Sequence, residues 1–377
     1  MSIKNHKTMI MRIFMILSIL FIFFLSFRIV NETRHQYEIA NDSLLGQELV
    51  IQVDNLLVEA DPKKELKLIF GGDIMLSRTV NAKMEAYNDY AWPARLISSS
   101  TAEADFSIFN LESPFLRDSN YNVPTGSFAF KANPLSVQTL NLLGADVVSL
   151  ANNHMLNAGT TGISDTLDVL SENNILSVGA GLNEEQARKP AIIEKNGWKL
   201  AFLSYAYPND HSVATKTQAG IATMDIENLR EDIEALKGKV DLIIILMHAG
   251  IEYVSVPQKN QVNFAHQAID FGADLVVGHH PHWPQTWEIY NDKAIFYSLG
   301  NFIFDQMWSQ GTSQGILAEI IFQSNLSAKA KLIPIVIKDY GQVRLWPEGQ
   351  DQADFWSVYG LKKSDGINWG NAENYVD

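Results

Sequence analysis

A mixed α/β fold is predicted by three features of this 377-residue sequence. From Leu66 onward, short β-rich runs alternate with helical ones, the signature of βαβ units around a largely parallel sheet. Two stretches break that pattern with antiparallel pairing. One joins 191–195 to 198–206 about Asn196-Gly197, and the other joins 315–322 to 332–338 near the end of the chain. Third, five of the nine histidines fall a few residues after predicted strands, where open α/β sheets carry their ligand crevice.

The elements follow in order. Lys4, Lys7 and Arg12 precede residues 13–27, an apolar run interrupted only by Ser18 and Ser26, the charge-then-apolar order of a signal anchor. Fifteen helical residues span about 22 Å, and counting from Met9 to Val30 gives about 33 Å, enough to cross a bilayer if Arg12 and Arg28 snorkel. The basic flank places the N-terminus inside and the bulk of the chain outside, a single-pass cell-membrane protein with an extracytoplasmic domain. Residues 1–30 therefore read as the membrane segment, 31–64 as a polar stalk, 65–345 as the main domain and 346–377 as a C-terminal extension.

Within the main domain the expected strands are 66–70, 106–109, 146–150, 175–178, 241–247, 275–277 and 294–298. The expected helices are 160–170, with Ile163, Leu167 and Leu170 on one face, then 226–237, and 258–271, which opens after Pro257 and closes at Gly272.

Chemistry-bearing residues gather where these strands end. Asp73 follows Gly71-Gly72, Glu112 follows Asn110-Leu111, and Asn152-Asn153-His154 follows an apolar strand. His248 closes a β-branched run and leads into Ala249-Gly250-Ile251-Glu252-Tyr253. Gly278-His279-His280-Pro281-His282 puts three histidines in four positions, a pattern rarely structural. Asn301 to Asp305 ends another strand. Singly, an Asp after Gly is most simply a turn residue and a His at a strand end a satisfied core residue. Jointly, carboxylates, amides and imidazoles at one sheet edge make an oxygen-and-nitrogen ligand set suited to Mn, Fe or Zn and to hydrolysis. His6, His35, His211 and His266 stand apart from it, in the anchor, the stalk, a loop and a helix.

Composition excludes much else. Without cysteine there is no disulfide, thiol nucleophile or thiolate zinc site, so ligands must be His, Asp, Glu or Asn. Five Lys/Arg and one Glu fall in residues 1–35, so the net +4 there leaves −18 on the rest of a chain whose total is −14. A domain that acidic repels nucleic acid, which is not expected as a partner.

The ordered set Gly-Asp, Asn-Leu-Glu, Asn-Asn-His, His-x-Gly-x-Glu-Tyr, Gly-His-His-Pro-His and Gly-Asn-Phe-x-Phe-Asp resembles the CapA family of poly-γ-glutamate capsule biosynthesis proteins. That family is a branch of the calcineurin-like metallophosphoesterase superfamily. The resemblance covers roughly residues 66–339 and implies a four-layer sandwich of two mixed sheets flanked by helices, preceded here by the membrane helix. It further implies Asp73, Glu112, Asn153, His248, His280 and His282 as ligands of one or two divalent transition metals (Mn, Fe or Zn), with Glu112 placed to bridge. His154 would be the general acid, His279 would stand behind the ligands, and Arg78, Asn152, Glu252 and Asn301 would contact substrate. The substrate would be an anionic polymer or a phosphoester, with other capsule-synthesis subunits as further partners. Three activities are compatible with the resemblance: a phosphoesterase-like metal-dependent hydrolase, a peptidase-like enzyme cutting a γ-glutamyl amide with the same metal site, or a non-catalytic polymer-binding or export accessory. The chain departs from the superfamily's pattern at Met75, where a ligand His usually stands, at Glu112, usually Asp, and at Met155, usually acidic and the orienting partner of the catalytic His.

Overall fold

A computed structural model describes residues 65–118, 127–208 and 212–347, together with 355–357, 359, 361 and 366–370. The expected membrane segment at 1–30, the stalk at 31–64 and His211 lie outside the described residues. Among the described residues no helix is long and apolar enough to cross a membrane.

Two large mixed sheets organise the chain. The first has nine strands: β1 (Leu66–Ile74), β2 (Phe106–Leu111), β3 (Ala145–Ser149), β4 (Leu176–Val178), β13 (Asn301–Ile303), β14 (Gln314–Phe322), β15 (Ala328–Lys338), β16 (Gln342–Leu345) and β17 (Ile367–Trp369). Strands β1 to β4 run parallel, while β14, β15 and β16 add an antiparallel half beside β1. The second sheet has six strands in the order β11 (Trp287–Tyr290), β12 (Lys293–Phe296), β10 (Leu275–His279), β9 (Leu242–His248), β7 (Trp198–Ala206), β6 (Ala191–Lys195), with antiparallel strands at both edges. A short ladder pairs β5 (Ala180–Gly181) with β8 (Gly220–Ile221).

Side-chain alternation along the strands explains the layering. In β9, Leu242, Ile244 and Leu246 face the core between the sheets, where they join Leu68, Phe70 and Ile108 of the first sheet. The intervening Ile243, Ile245 and Met247 face α6 (Ile226–Leu236) and α7 (Lys259–Phe271). On the far side, Ile69, Phe109 and Val148 pack under α1 (Arg78–Tyr87), α3 (Val137–Leu143) and α4 (Gly159–Glu172). Both faces of each sheet are thus covered, which is why the central strands read as continuous apolar runs. Two short helices, α2 (Ser98–Thr101) and α5 (Glu184–Arg188), complete the set.

Local chemistry fixes the ends of elements. The Asp225 side chain accepts the Asn228 N–H at 2.9 Å and starts α6. Gln261 Oε1 accepts the Gln258 N–H at 2.7 Å at the start of α7, which ends at Gly272 with φ 114°. Asn196 and Gly197, at φ 56° and 78°, make the expected tight hairpin turn between β6 and β7.

Several expectations change in extent. β1 continues to Ile74 and carries Asp73 inside the strand, because β13 pairs with its last residues, Asp73 opposite Asn301. The strand expected over 294–298 stops at Phe296. Helices α1, α2, α3 and α5 and strands β5, β8, β11, β13, β16 and β17 lie outside the expected elements. Residues of the expected C-terminal extension enter the core between the sheets through Phe355, Trp356, Tyr359, Leu361, Ile367 and Trp369, and β17 pairs with β15.

Candidate metal centre

Parallel pairing aligns the strand ends and so gathers the site. Asp73 lies opposite Asn110 across β1 and β2, and His248 lies opposite His279 across β9 and β10. Close backbone packing at this edge demands glycine: a Cβ on Gly72 would stand 1.8 Å from the Gly300 carbonyl oxygen.

Two groups of side chains result. In the first, one ligand atom each from Asp73, Glu112 and His282 lie within 4.8 Å of one another, all three residues buried. In the second, His248 Nε2 lies 3.0 Å from Asn153 Oδ1 and 3.2 Å from His280 Nδ1. The groups adjoin, since the His280 N–H donates to Asp73 Oδ2 at 3.3 Å and Asn110 Nδ2 donates to Asp73 Oδ1 at 2.7 Å while lying 3.3 Å from His248 Nδ1.

The register of the triple histidine is resolved by the backbone. His280 and His282 take φ values of 98° and 57°, left-handed conformations unusual for these residues, and both turn into the site. His279 sits behind them with Nε2 3.2 Å from the Gly71 carbonyl oxygen.

The donor set fits a divalent cation on three counts. Both oxygens of fully buried Glu112 lack a hydrogen-bond partner, a costly state for a carboxylate. Burial, and then the neighbouring Asp73 charge, push the Glu112 carboxyl well above the usual carboxylate range. His248 Nε2 and His280 Nδ1 converge to 3.2 Å, and burial lowers both imidazoles, His280 to about 4, with the charge of His280 adding to the effect on His248. For His282 burial works downward, but the Glu112 and Asp73 carboxylates outweigh it and push the imidazole up to about 9. Asp73 shows the complement: burial works upward, yet the hydrogen bond and charge of His282 hold it below its usual range. A cation between these groups would replace the protons they now compete for.

His154 faces the same carboxylate, its Nε2 3.6 Å from Glu112 Oε1. Its Nδ1 lies 3.0 Å from Asn157 Oδ1, and its ring stacks on Phe130 at 3.9 Å between centroids. Burial is the main cause that lowers this imidazole to about 4. Asn157, in the turn after the strand, supplies the orienting partner that Met155 cannot; Met155 is fully buried in the helix-side core, as is Met75.

The four residues expected to touch substrate divide. Glu252 is half-buried and close enough for its charge to act on Glu112, His154 and His282. Asn152 is instead spent inside the protein, its Nδ2 donating to the Leu111 carbonyl at 2.9 Å and its Oδ1 accepting the His154 N–H at 3.1 Å. Asn301 likewise donates to the Thr312 carbonyl at 2.8 Å and presents Oδ1 to His282 Nδ1 at 2.9 Å. Arg78 is buried in an ion pair with Asp305. Most polar atoms of these three are thus taken up by protein partners, the buried Nε of Arg78 being the exception.

Sequence reasoning missed Asn110, Asn157, Phe130 and Phe304. Asn110 stood inside a quoted motif, and only the pairing of β1 with β2 shows that it bridges Asp73 and the His248 ring. The role of Phe130 comes from a long-range contact that no local pattern encodes.

Comparison with known proteins places this arrangement. Residues 67–306 match the family model described as bacterial capsule synthesis protein PGA_cap. A capsule biosynthesis protein CapA of Bacillus anthracis is 33% identical over 285 residues, 73% of this chain and 68% of that protein. A PGA biosynthesis protein CapA of Bacillus subtilis is 32% identical over 279 residues, 73% of this chain and 72% of that protein. The solved structure of a hypothetical protein from Thermus thermophilus aligns over 75% of this chain and all of that one, at 14% identity and a TM-score of 0.43, a likeness too slight to carry an argument.

Proposed function

The chain belongs to the bacterial capsule synthesis protein family PGA_cap, and on that footing we propose that it is a metal-dependent hydrolase with a metallophosphoesterase-like four-layer domain, acting in poly-γ-glutamate capsule biosynthesis. The observation that carries this reading is the buried, unpartnered Glu112 carboxylate with His154, His282 and Asp73 around it. Asp73, Glu112 and His282 would hold one cation of the Mn, Fe or Zn class, and Asn153, His248 and His280 a second. When bound, such cations supply Lewis-acid polarisation of a substrate oxygen.

The chain's own residues do the rest. With Nδ1–H donated to Asn157, neutral His154 presents Nε2 toward the centre as a proton acceptor. Nε2 takes a proton from the attacking water, negative charge arriving with a substrate stabilises the resulting imidazolium, and the same proton then passes to the leaving group as its bond to the substrate breaks. His282 is held by Asn301, and Asn152 fixes the turn that carries His154. Half-buried Glu252, close enough for its charge to act on the centre, would accept an amide N–H of the polymer. A phosphoester and a γ-glutamyl amide are the two substrate classes this chemistry serves.

The proposal extends to location. Residues 1–30 would anchor the protein in the cell membrane with 65–345 outside, in reach of the exported polymer and of other capsule-synthesis subunits. A second reading, a polymer-binding accessory without catalysis, is favoured by Met75, which is buried in the core where the wider superfamily places a ligand. Metal analysis joined to hydrolysis of phosphodiesters and γ-glutamyl polymers separates the two. The hydrolase reading expects one or two ions per chain and a loss of about 10²–10⁴-fold in turnover for His154→Ala with metal content kept. Bound polymer without turnover in wild type, and an unaffected His154→Ala variant in a capsule complementation assay, would support the accessory reading instead.

A further inference from the structure

Arg78 begins α1 at φ 51°, a left-handed conformation that is strained for a non-glycine residue and persists only where the surroundings impose it. Its side chain is only 6% exposed and pairs with Asp305, itself 2% exposed. The second oxygen of Asp305 accepts the Thr79 N–H at 3.1 Å, which ties the acid to the first turn of the same helix. A second guanidinium nitrogen donates to the Ser127 carbonyl at 3.0 Å.

The guanidinium plane also meets two aromatic rings. Its central carbon lies 4.7 Å from the Phe130 centroid and 5.5 Å from that of Phe304. Phe130 stacks on His154 at 3.9 Å, and Phe304 meets His282 edge-on at 4.8 Å. The two phenyl rings touch each other edge-to-face at 5.8 Å. One cation thus backs both phenyl rings, and each phenyl ring backs one of the two imidazoles that flank Glu112, at 3.6 Å and 3.8 Å.

A buried ion pair is a poor source of stability, since desolvating two charges offsets most of their attraction. What it offers is geometry: a planar, forked donor held in one orientation. Contact with a substrate anion is the weaker reading, because the guanidinium already has a carboxylate and almost no exposed surface.

We propose that Arg78 is a positioning residue, whose pairing with Asp305 clamps Phe130 against His154 and Phe304 against His282 and so sets the two imidazoles about Glu112. The proposal deepens the hydrolase reading and rests on it for its kinetic consequence, whereas its geometric consequence is independent of any turnover.

The test uses full-length protein with isotope-labelled histidine, at one fixed pH, before and after metal loading. A ring stacked at 3.9 Å shifts the His154 ring resonances upfield, and the His154→Asn variant assigns them. Phe130→Leu gives the reference in which that shift is absent. In Arg78→Lys, which keeps the charge and loses the planar fork, the shift is expected to fall most of the way to the Phe130→Leu value. Circular dichroism and metal content stay those of wild type. Turnover falls about 10- to 100-fold with KM within about 3-fold, the size expected of a small misplacement of a reacting group. Asp305→Asn serves as the second variant, is expected to reproduce the loss of shift, and decides the matter if Arg78→Lys does not fold. An unchanged His154 resonance in both variants overturns the proposal, as does a rise in KM at constant kcat, which would make Arg78 a substrate contact. Absence of hydrolysis in wild type would instead count against the hydrolase reading, leaving the resonance shifts to decide the role of Arg78.

Discussion

Glu112 is the residue on which the site turns. Its carboxyl is raised above the ordinary value of 4.5 by burial and by Asp73, so in metal-free protein the folded state binds its proton more tightly than the unfolded chain does. That contribution to stability is present below about pH 4.5 and is lost as the pH rises through the folded-state value. Glu112→Gln is therefore expected to stabilise the chelated protein at pH 8 by about 1–3 kcal/mol, with the gain fading toward pH 4.5, as read by thermal melts across pH. The same substitution should weaken metal binding, and a chelated variant no more stable than wild type at pH 8 would contradict the account. Asn157→Ala should leave metal content unchanged and cut turnover by about 10- to 100-fold by freeing the His154 ring. At this scale the sequence was informative wherever chemistry followed a strand within a few residues: Asp73, Glu112, His154, His248 and His282 all converge as their positions suggested. It was uninformative for Asn110, Asn157 and Phe130, whose roles depend on which strand lies beside which and on a turn closing over three residues.

The elements deliver those residues through parallel pairing. Strand ends were legible because β1, β2, β3, β9 and β10 are largely buried on both faces and carry mostly apolar residues along their central stretches, so the polar residues near their ends stand out. Helix α1 was not legible, since in its sequence, RTVNAKMEAY, polar and apolar residues are equal in number and the buried face itself mixes Arg78 and Asn81 with Val80 and Met84. The short β13 was hidden for a different reason: it exists through pairing with the last residues of β1, and that pairing needs Gly72. Gly72→Ala should push its new methyl into the Gly300 carbonyl, destabilise the protein by about 1–3 kcal/mol or more, and lower metal affinity by displacing Asp73. Denaturant unfolding with and without metal checks both, and a variant of wild-type stability would show that this edge yields.

For the whole described unit, two mixed sheets share one core and each carries helices on its outer face, so the site lies where the strand ends of both sheets meet. Alternation of strands and helices, with two antiparallel insertions, was enough to anticipate mixed sheets. The contribution of the C-terminal residues was not, because Phe355, Trp356, Tyr359, Leu361, Ile367 and Trp369 are irregularly spaced, with a polar run at 362–365 between them, and follow no sustained helix or strand period. Trp369 is 2% exposed and meets Phe322 edge-on, so Trp369→Ala should cost about 3–5 kcal/mol by chemical denaturation while leaving metal stoichiometry intact. The acidic surface and the buried ligand set make opposite demands on an anionic polymer, and bound cations would reverse the charge locally while the remaining surface favours release. The central claim is that strand-end carboxylates, imidazoles and an amide together hold divalent metal. Its most direct test is equilibrium dialysis of the full-length protein against Mn²⁺, Fe²⁺ and Zn²⁺, alone and with Asp73→Ala or His248→Ala. One or two ions per chain, with affinity reduced at least about 10-fold by either substitution, is the predicted result; no bound ion, or binding indifferent to both substitutions, would contradict it.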